Sequence, residues 1–396
     1  MIQISPETQL FIREHSSDDV RALALQAKKY PDINMPTAIT QIAGRQVAAE
    51  KIPSWREIEE IWYPKHLSLE QCSSEITARY KARLFQGDSL IDLTGGFGID
   101  CSFLATGFKT ATYVERQEEL CEIAAHNFPI LNLNHINVRN EDGVAYLQSM
   151  SPVDCIFPAP PRRNEHGGKT VAISDCEPNV AELEALLLSK ANRVMIKLSP
   201  MLDLSLALKE LKHTQEIHIL SVNNECKELL ILLGQTSPAE IAIHCVNLLT
   251  KGTQEEQHLV FTREQEQRSQ CTYTDSLGNY LYEPNASLLK AGAFRSIAAA
   301  YPVRKLHPNS HLYTSDSFIE NFPGRIFRIV NQCSFNKKEV KENLADLKKA
   351  NVTVRNFPTT VAELRKRLHL TEGGDTYLFA STLNNGQKVI IRCEKV

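Results

Sequence analysis

Between Ser89 and Asp100 the chain reads SLIDLTGGFGID, an apolar run closed by Asp92, the turn Thr94-Gly95-Gly96-Phe97-Gly98, and a helical pattern from Ile99. Glycines are required where a backbone bends through positive φ, or where a ligand meets the main chain with no Cβ between them. A helix start directly after such a turn adds unpaired N–H groups on the same side. Glu115 follows Asp92 by 23 residues, at the end of the next apolar run, the offset at which a carboxylate accepts ribose hydroxyls. Asp142, followed by Gly143, comes after the third run. A carboxylate there can accept from an adenine amine while the next N–H contacts the ring. Each acid alone reads equally as a helix cap or a solvated turn residue. Three in order at successive strand ends point to a nucleoside-bearing ligand.

Two further strand ends carry chemistry-bearing residues. The fourth run closes in Phe157-Pro158-Ala159-Pro160-Pro161-Arg162-Arg163, and the fifth in Lys197-Leu198-Ser199-Pro200. Both would face the crevice where open α/β sheets bind ligands. Arg162 and Arg163 can grip phosphate or a base, or be two charges on a solvated turn. Lys197 either contacts substrate or neutralises nearby acids.

The elements that must position these residues follow from periodicity. Helical patterns are expected at Asp18 or Asp19 to Lys29, Met35 to Glu50, Ser54 to Trp62 and Ser68 to Phe85. From Ser89 the pattern changes to short apolar runs alternating with amphipathic helices, which predicts a parallel sheet with crossovers. The predicted strands begin at Ser89, Thr110, Ile136, Cys155, Arg193 and Glu216. A seventh, Leu229 to Leu233, follows after the link Asn223 to Glu228, too short for a crossover, so this last pair is expected to be antiparallel. Ile241 to Leu249 and His258 to Thr262 are further strand-like runs, and the polar stretch Arg263 to Gln270 reads as a boundary. Beyond it come a helix at Ala286 to Ala300 and a strand-helix-strand-helix unit from Pro323. That unit closes on a hairpin at Asn385-Gly386.

The 396 residues exceed the size of one hydrophobic core, so two or three domains are expected. Composition is that of a soluble globular protein, and no apolar run approaches the ~20 residues that span a bilayer. No membrane partner is therefore expected, and the cytoplasm is the expected location. The 10 cysteines show no metal-ligand spacing and read as reduced, largely buried residues. Residues 285–396 hold 18 Lys and Arg against 9 Asp and Glu, a net +9 on a chain of net −3. The remainder is therefore acidic. A basic module of this kind favours a polyanion such as nucleic acid.

The glycine turn, Glu115, Asp142 and the terminal hairpin together resemble class I S-adenosylmethionine-dependent methyltransferases, over about Leu69 to Gly234. The resemblance implies a Rossmann-like sheet with an antiparallel last strand, and S-adenosylmethionine as cofactor. Gly96 and Gly98 would approach its methionine part, with Thr94 and Gly95 in the same turn. Asp92 would orient the turn, Glu115 hold the ribose, and Asp142 with Gly143 the adenine. The segment LEQCSSEITARY is similar to the part that closes over the cofactor in RNA-modifying members, which makes Gln71, Ser74 and Thr77 candidates; the serines serve equally as helix caps. YLYEPNASLLKAGAF and FPGR resemble the ferredoxin-like and THUMP-like modules behind a methyltransferase domain in one bacterial family. THUMP domains bind RNA, so RNA is the expected partner, through the basic C-terminal region.

Amino-group methyltransferases place a polar residue and prolines at the fourth strand end, where side chain and carbonyl accept from the substrate amine. The family pattern is Asp-Pro-Ala-Arg-Arg, and Ala159 stands here in the acid's place. Pro160, Pro161, Arg162, Arg163 and Lys197 are left as the catalytic candidates. Either the Pro160 carbonyl suffices, Asp154 or another acid substitutes, or activity is weakened.

The expected organisation is an N-terminal helical region (1–84), a methyltransferase domain (85–270), a ferredoxin-like domain (271–322) and a THUMP-like domain (323–396). The expected reaction is methyl transfer to RNA, at a base exocyclic amine of a structured tRNA or rRNA, with no metal required. Two rivals stand beside it. One is an RNA-binding protein with a degenerate methyltransferase site. The other is a nucleotide-cofactor oxidoreductase, which predicts a parallel final strand.

Overall fold

In the computed structural model, which describes residues 4–161, 172–251 and 255–396, the run before the glycine turn is strand β1 (Gly87–Asp92). It is followed by β2 (Phe108–Glu115), β3 (Ile136–Asn140), β4 (Val153–Phe157), β5 (Ala191–Leu198), β6 (Thr214–Val222), β7 (Glu225–Gly234), β8 (Ala242–Leu248) and β9 (Glu256–Phe261). These form one sheet in the order β3-β2-β1-β4-β5-β7-β6-β8-β9. β1 to β5 run parallel, joined by helices such as Ile99–Ala105 and Glu118–Ile130. With helices on both faces, the central strands read as near-continuous apolar runs, and Leu90, Ile91, Cys155 and Ile156 are all buried. Asn223 and Asn224, both at positive φ (47° and 70°), make the two-residue turn that reverses the chain between β6 and β7. The β6-β7 pair is thus antiparallel, as its short link predicts, and β8 and β9 extend the sheet beyond it.

Two compact units divide the chain: Met1–Gln215 with Leu230–Ser237, and Glu216–Leu229 with Pro238–Val396. In the first, the N-terminal helices differ from expectation at three places. A helix at Pro6–Glu14, capped by Ser5 onto the Thr8 N–H, precedes the expected one. The latter starts after Asp19, whose carboxylate accepts from Arg21 and Ala22. The helix from Ser54 is only Pro53–Arg56. The helix expected over Ser68 to Phe85 is two, His66–Gln71 and Glu75–Ala82, because Cys72 and Ser74 are extended and Ser74 opens the second helix.

In the second unit, Arg263–Arg268 is a helix with a reciprocal Thr262/Gln265 capping box, not a bare boundary. The Glu266 carboxylate in turn accepts from the Phe294, Arg295 and Ser296 N–H groups. The expected Ala286 to Ala300 helix breaks at Gly292, whose φ of 76° ends the first half. A second sheet comprises β10 (Tyr280–Pro284), β11 (Arg304–Lys305), β12 (Tyr313–Ser315), β13 (Gly324–Ser334), β14 (Asn351–Val354), β15 (Thr376–Thr382) and β16 (Lys388–Lys395). Its order is β11-β12-β10-β13-β16-β15-β14. Helices Lys337–Leu344 and Val361–Leu368 insert Leu344 and Leu364 into one cluster with Cys333, Leu378 and Ile390. Their immediate strand neighbours Phe379 and Ile391 belong to a second cluster with Leu281 and Phe327, the β13 register shifting between Ile329 and Asn331. Side chains alternate across a strand, so both helices cover the same face of this sheet. Among the described residues, no helix is long and apolar enough to cross a membrane.

Candidate functional site

At the C-terminal end of β1 the chain turns sharply, and Asp92 begins the turn by accepting the Thr94 N–H at 3.0 Å. Asp92 is 1% exposed. Burial pushes its carboxyl up to about 7, and the negative charges of Asp100 and Glu115 push the same way. The turn is pinned from three sides. Gly95 N–H donates to the Val114 carbonyl at 2.9 Å, and the Tyr113 hydroxyl donates to the Gly96 carbonyl. Phe97 is buried among Trp55, Tyr63 and Leu69 of the N-terminal region, edge-on to Trp55.

The glycines of the turn divide by what their missing Cβ would meet. At Gly95 it would strike the Tyr113 ring at 2.1 Å, and at Gly98 the Phe128 ring at 3.1 Å, so both serve internal packing. Gly96 has φ of 55°, and its Cβ would meet only the Thr94 carbonyl at 3.9 Å. There the main chain lies open, and a side chain would fill the opening.

Glu115, at the end of β2, lies against this turn. One carboxylate oxygen accepts the Gly96 N–H at 2.9 Å, and the other accepts the Gln117 N–H at 2.9 Å. Each oxygen retains a second lone pair. Asp142 caps the helix Gly143–Ser149: its Oδ1 accepts from Val144 and Ala145, both at 3.0 Å. The helix-cap reading of Asp142 is therefore realised, with Oδ2 outside that cap. A Cβ at Gly143 would fall 2.2 Å from the Leu93 carbonyl, so this loop packs directly on the start of the glycine turn.

The fourth strand end meets the same turn. Ala159 N–H donates to Thr94 Oγ1 at 2.6 Å. The carbonyls of Pro158 and Pro161 accept from Lys197 N–H and Glu177 N–H, at 3.0 and 3.1 Å. Among the described residues no donor reaches the Pro160 carbonyl. Arg162 and Arg163 lie outside the described residues. Asp154 is not a replacement for the acid missing at Ala159. Its Oδ2 accepts from the Asp88 and Ser89 N–H groups at 2.7 and 2.9 Å, at the opposite end of the sheet from Asp92. It sits three positions before Phe157, about 10 Å back along the strand.

Lys197 lies against a nearby acid. Its ammonium contacts Asp100 at 2.6 Å and Ser73 Oγ at 3.1 Å. Lys81 completes the cluster, 2.9 Å from the other Asp100 oxygen and 3.0 Å from Ser73 Oγ. Burial alone would raise the Asp100 pKa, but the two ammoniums outweigh it and hold the carboxyl well below the usual range. Lys81 is fully buried. The sequence reading missed Ser73, Lys81 and Asp100. Lys81 was legible only as one of several charges on a short helix, and the one available signal was Asp100 in the first turn after Gly98.

Of the segment proposed to close over the ligand, Ser74 and Thr77 share one turn, their hydroxyls 3.2 Å apart. Thr77 Oγ1 donates to the Ser74 carbonyl, and Gln71 is exposed at the preceding helix end.

A parallel run of strands followed by the antiparallel β6-β7 hairpin, with the glycine turn at its central strand end, defines the Rossmann-like methyltransferase fold. Over its whole length the chain is 33% identical to a proposed methyltransferase from Porphyromonas gingivalis W83, with a TM-score of 0.86 and 100% of both chains covered. The chain belongs to that methyltransferase family. Residues 280–323 match a ferredoxin-like domain model and residues 324–395 a THUMP domain-like model. No curated protein matches the chain. An rRNA methylase from Streptococcus thermophilus matches at 13% identity and a TM-score of 0.31, covering 41% of this chain and 96% of its own. M. capricolum TrmK, solved with S-adenosyl-homocysteine, matches at 12% identity and 0.32, covering 41% and 68%. The oxidoreductase alternative fails on the antiparallel β6-β7 pair and on this family membership.

Proposed function

We propose that the protein is an S-adenosylmethionine-dependent methyltransferase acting on RNA. The observation that carries the reading is the contact of the Glu115 carboxylate with the Gly96 N–H, at the one glycine of this turn whose face is open. It sets a ribose-type acceptor beside main chain that a ligand can approach, and the residues present fit the cofactor. When bound, S-adenosylmethionine supplies a methyl group on a positively charged sulfur. Glu115 orients the ribose, Asp142 Oδ2 and the Gly143 N–H address the adenine, and Gly96 lets the methionine part lie against the backbone.

The protein's part in the reaction is positioning: holding the acceptor in line with the methyl carbon in a site that excludes water. The Pro160 carbonyl is the acceptor for a substrate amine proton, with Pro161 shaping the strand end. The Thr94–Ala159 hydrogen bond couples this strand end to the cofactor turn. Lys197 acts through Asp100 to set the charge of the crevice.

RNA is supported by the THUMP domain-like match and by exposed lysines. Lys337, Lys338 and Lys341 lie on one helix, Lys366 and Arg367 on the other, and both helices cover the same sheet face. Neighbouring arginines are neutralised, Arg328 by Glu394, Arg365 by Glu372 and Arg392 by Asp346. The positive surplus is thus carried mainly by lysines, which suit non-specific phosphate contact. The specific target proposed is a base exocyclic amine in a structured tRNA or rRNA.

The test is isothermal titration with S-adenosylmethionine and with NAD, then incubation with labelled S-adenosylmethionine and fractionated cellular RNA. Cofactor binding and labelled nucleosides are expected. No cofactor binding, or label confined to protein, overturns the proposal. A second reading, an RNA-binding protein with weakened transfer, is favoured by Ala159 together with the distant position of Asp154. Under it Ala159→Asp raises methylation of RNA by a protein that already binds the cofactor.

A further inference from the structure

The second unit carries a cluster that the methyltransferase site does not use. Glu216 and His218 alternate on β6 and so share one sheet face. His218 pairs with His244 on β8. His258 on β9 lies diagonal to His244, beside Val246, on that same face. Glu216 Oε2 is 3.2 Å from His218 Nε2 and 3.8 Å from His244 Nε2. The ligand atoms of these three residues all lie within 4.8 Å of one another. His244 Nδ1 is 3.2 Å from His258 Nε2.

We infer that Glu216, His218 and His244 bind a divalent transition-metal ion through Glu216 Oε2 and the two Nε2 atoms, with His258 holding His244 from behind. Three arguments carry this. Zinc bonds of about 2.0–2.1 Å at tetrahedral angles set ligand atoms about 3.3–3.4 Å apart, between the 3.2 Å and 3.8 Å that separate Glu216 Oε2 from the two Nε2 atoms. Two imidazoles and a carboxylate are a donor set for zinc-class ions that leaves a position for water. An Nδ1–H donated to His258 fixes the tautomer that leaves His244 Nε2 as a lone-pair donor, as ligating histidines are fixed by their outer partners.

The His218 and His244 rings stack at 4.3 Å with 13° between their planes. Convergence on one ion requires the His244 ring to swing about its terminal torsion, which is soft. His218 is 2% exposed and is the fixed member. The Glu216 side chain is 47% exposed and adjusts. An ion held here ties β6 to β8.

The test uses the full chain, stripped with chelator, titrated with Zn2+ and separately with Co2+. Expected are one equivalent of Zn2+ displaced by the chelator, a metal-dependent rise in Tm, and visible Co2+ absorption of a four-coordinate nitrogen and oxygen site. His244→Gln and Glu216→Gln should each weaken Zn2+ binding by at least about 100-fold, and His258→Gln by roughly 10–100-fold. Glu216→Gln changes a half-exposed side chain and keeps the fold, which circular dichroism of the stripped variant checks. Zinc affinity unchanged in these variants, no bound equivalent in the wild type, or a thiolate-to-cobalt charge-transfer band placing the ion on cysteines would each overturn the inference.

Discussion

The main-chain N–H of Ala159 donates to the side chain of Thr94 at 2.6 Å, joining the two strand ends that flank the crevice. Thr94 therefore has a role beyond its place in the glycine turn. Thr94→Val keeps the shape and removes the acceptor, leaving a main-chain donor unpaired, at a cost of about 1–3 kcal/mol. On the proposed function, S-adenosylmethionine affinity should change little, while the turnover of bound RNA falls roughly 10-fold. Titration and single-turnover assays separate the two; a pure loss of cofactor affinity would contradict the coupling.

Gly143→Ala tests the packing of the adenine-side loop. The new methyl would meet the Leu93 carbonyl at 2.2 Å, and main chain cannot move aside as a side-chain tip can. Denaturant unfolding should show a loss of about 1–3 kcal/mol. Gly96→Ala should cost less through contact and act chiefly through its positive φ and the ligand space it fills.

Asp92 and Asp100 give stability opposite pH dependences. The Asp92 carboxyl, raised to about 7 by burial, binds its proton more tightly in the folded protein than the roughly 3.9 of an unfolded chain. Its contribution is full below about pH 4 and is lost as pH rises through about 7. Asp100, held low by Lys197 and Lys81, contributes above the unfolded value and loses that only in stronger acid. Asp92→Asn keeps an acceptor for the Thr94 N–H. Measured from pH 4 to 8, its unfolding free energy should fall less steeply than that of the wild type; identical slopes would exclude the raised pKa.

Lys81→Met breaks the most buried ion pair of the crevice. Removing one partner of such a pair costs about 3–5 kcal/mol, because the remaining charge is left uncompensated. Here Lys197 still faces Asp100, so the loss should fall at or below the lower end. Asp100→Leu, which removes the one acid that both ammoniums contact, should cost more, read as a Tm below that of Lys81→Met.

Charge reversal on the second sheet's helices tests the RNA surface. Lys337→Glu with Lys341→Glu should weaken RNA binding without changing S-adenosylmethionine affinity. The log–log salt dependence should flatten by roughly one for each lysine that meets a phosphate. An unchanged slope would place RNA elsewhere.

Much of this architecture was readable in the chain because it rests on local signals. The alternation of apolar runs and helices located β1 to β9, and a link too short for a crossover foretold the antiparallel β6-β7 pair. What escaped depends on contacts far apart in sequence. Lys81 looks like any surface lysine until Asp100, 19 positions on, is folded against it. The break in the helix after Gln71 follows from Ser73 binding Asp100 and Lys197, which no periodicity reveals. At Arg263 polarity suggested a boundary, and the Thr262 and Gln265 capping box builds a helix there. Asp142 was read both as a cap and for chemistry, and its Oδ1 forms the cap.

Asn224 sits in the turn between β6 and β7, and it reaches beyond that turn. Its N–H is held by Asn247, and its side-chain oxygen accepts from Ala286 N–H at 2.8 Å, the first residue of the ferredoxin-like domain's opening helix. Asn247 in turn holds Gln257, whose side chain donates to the Gly324 carbonyl. Modules that a family model cuts apart at 280 and 324 therefore share hydrogen bonds with the strand pair that completes the first sheet. Shuffling such a C-terminal half onto another methyltransferase would carry off part of its donor's sheet, so the inheritable piece is larger than the domain it contains.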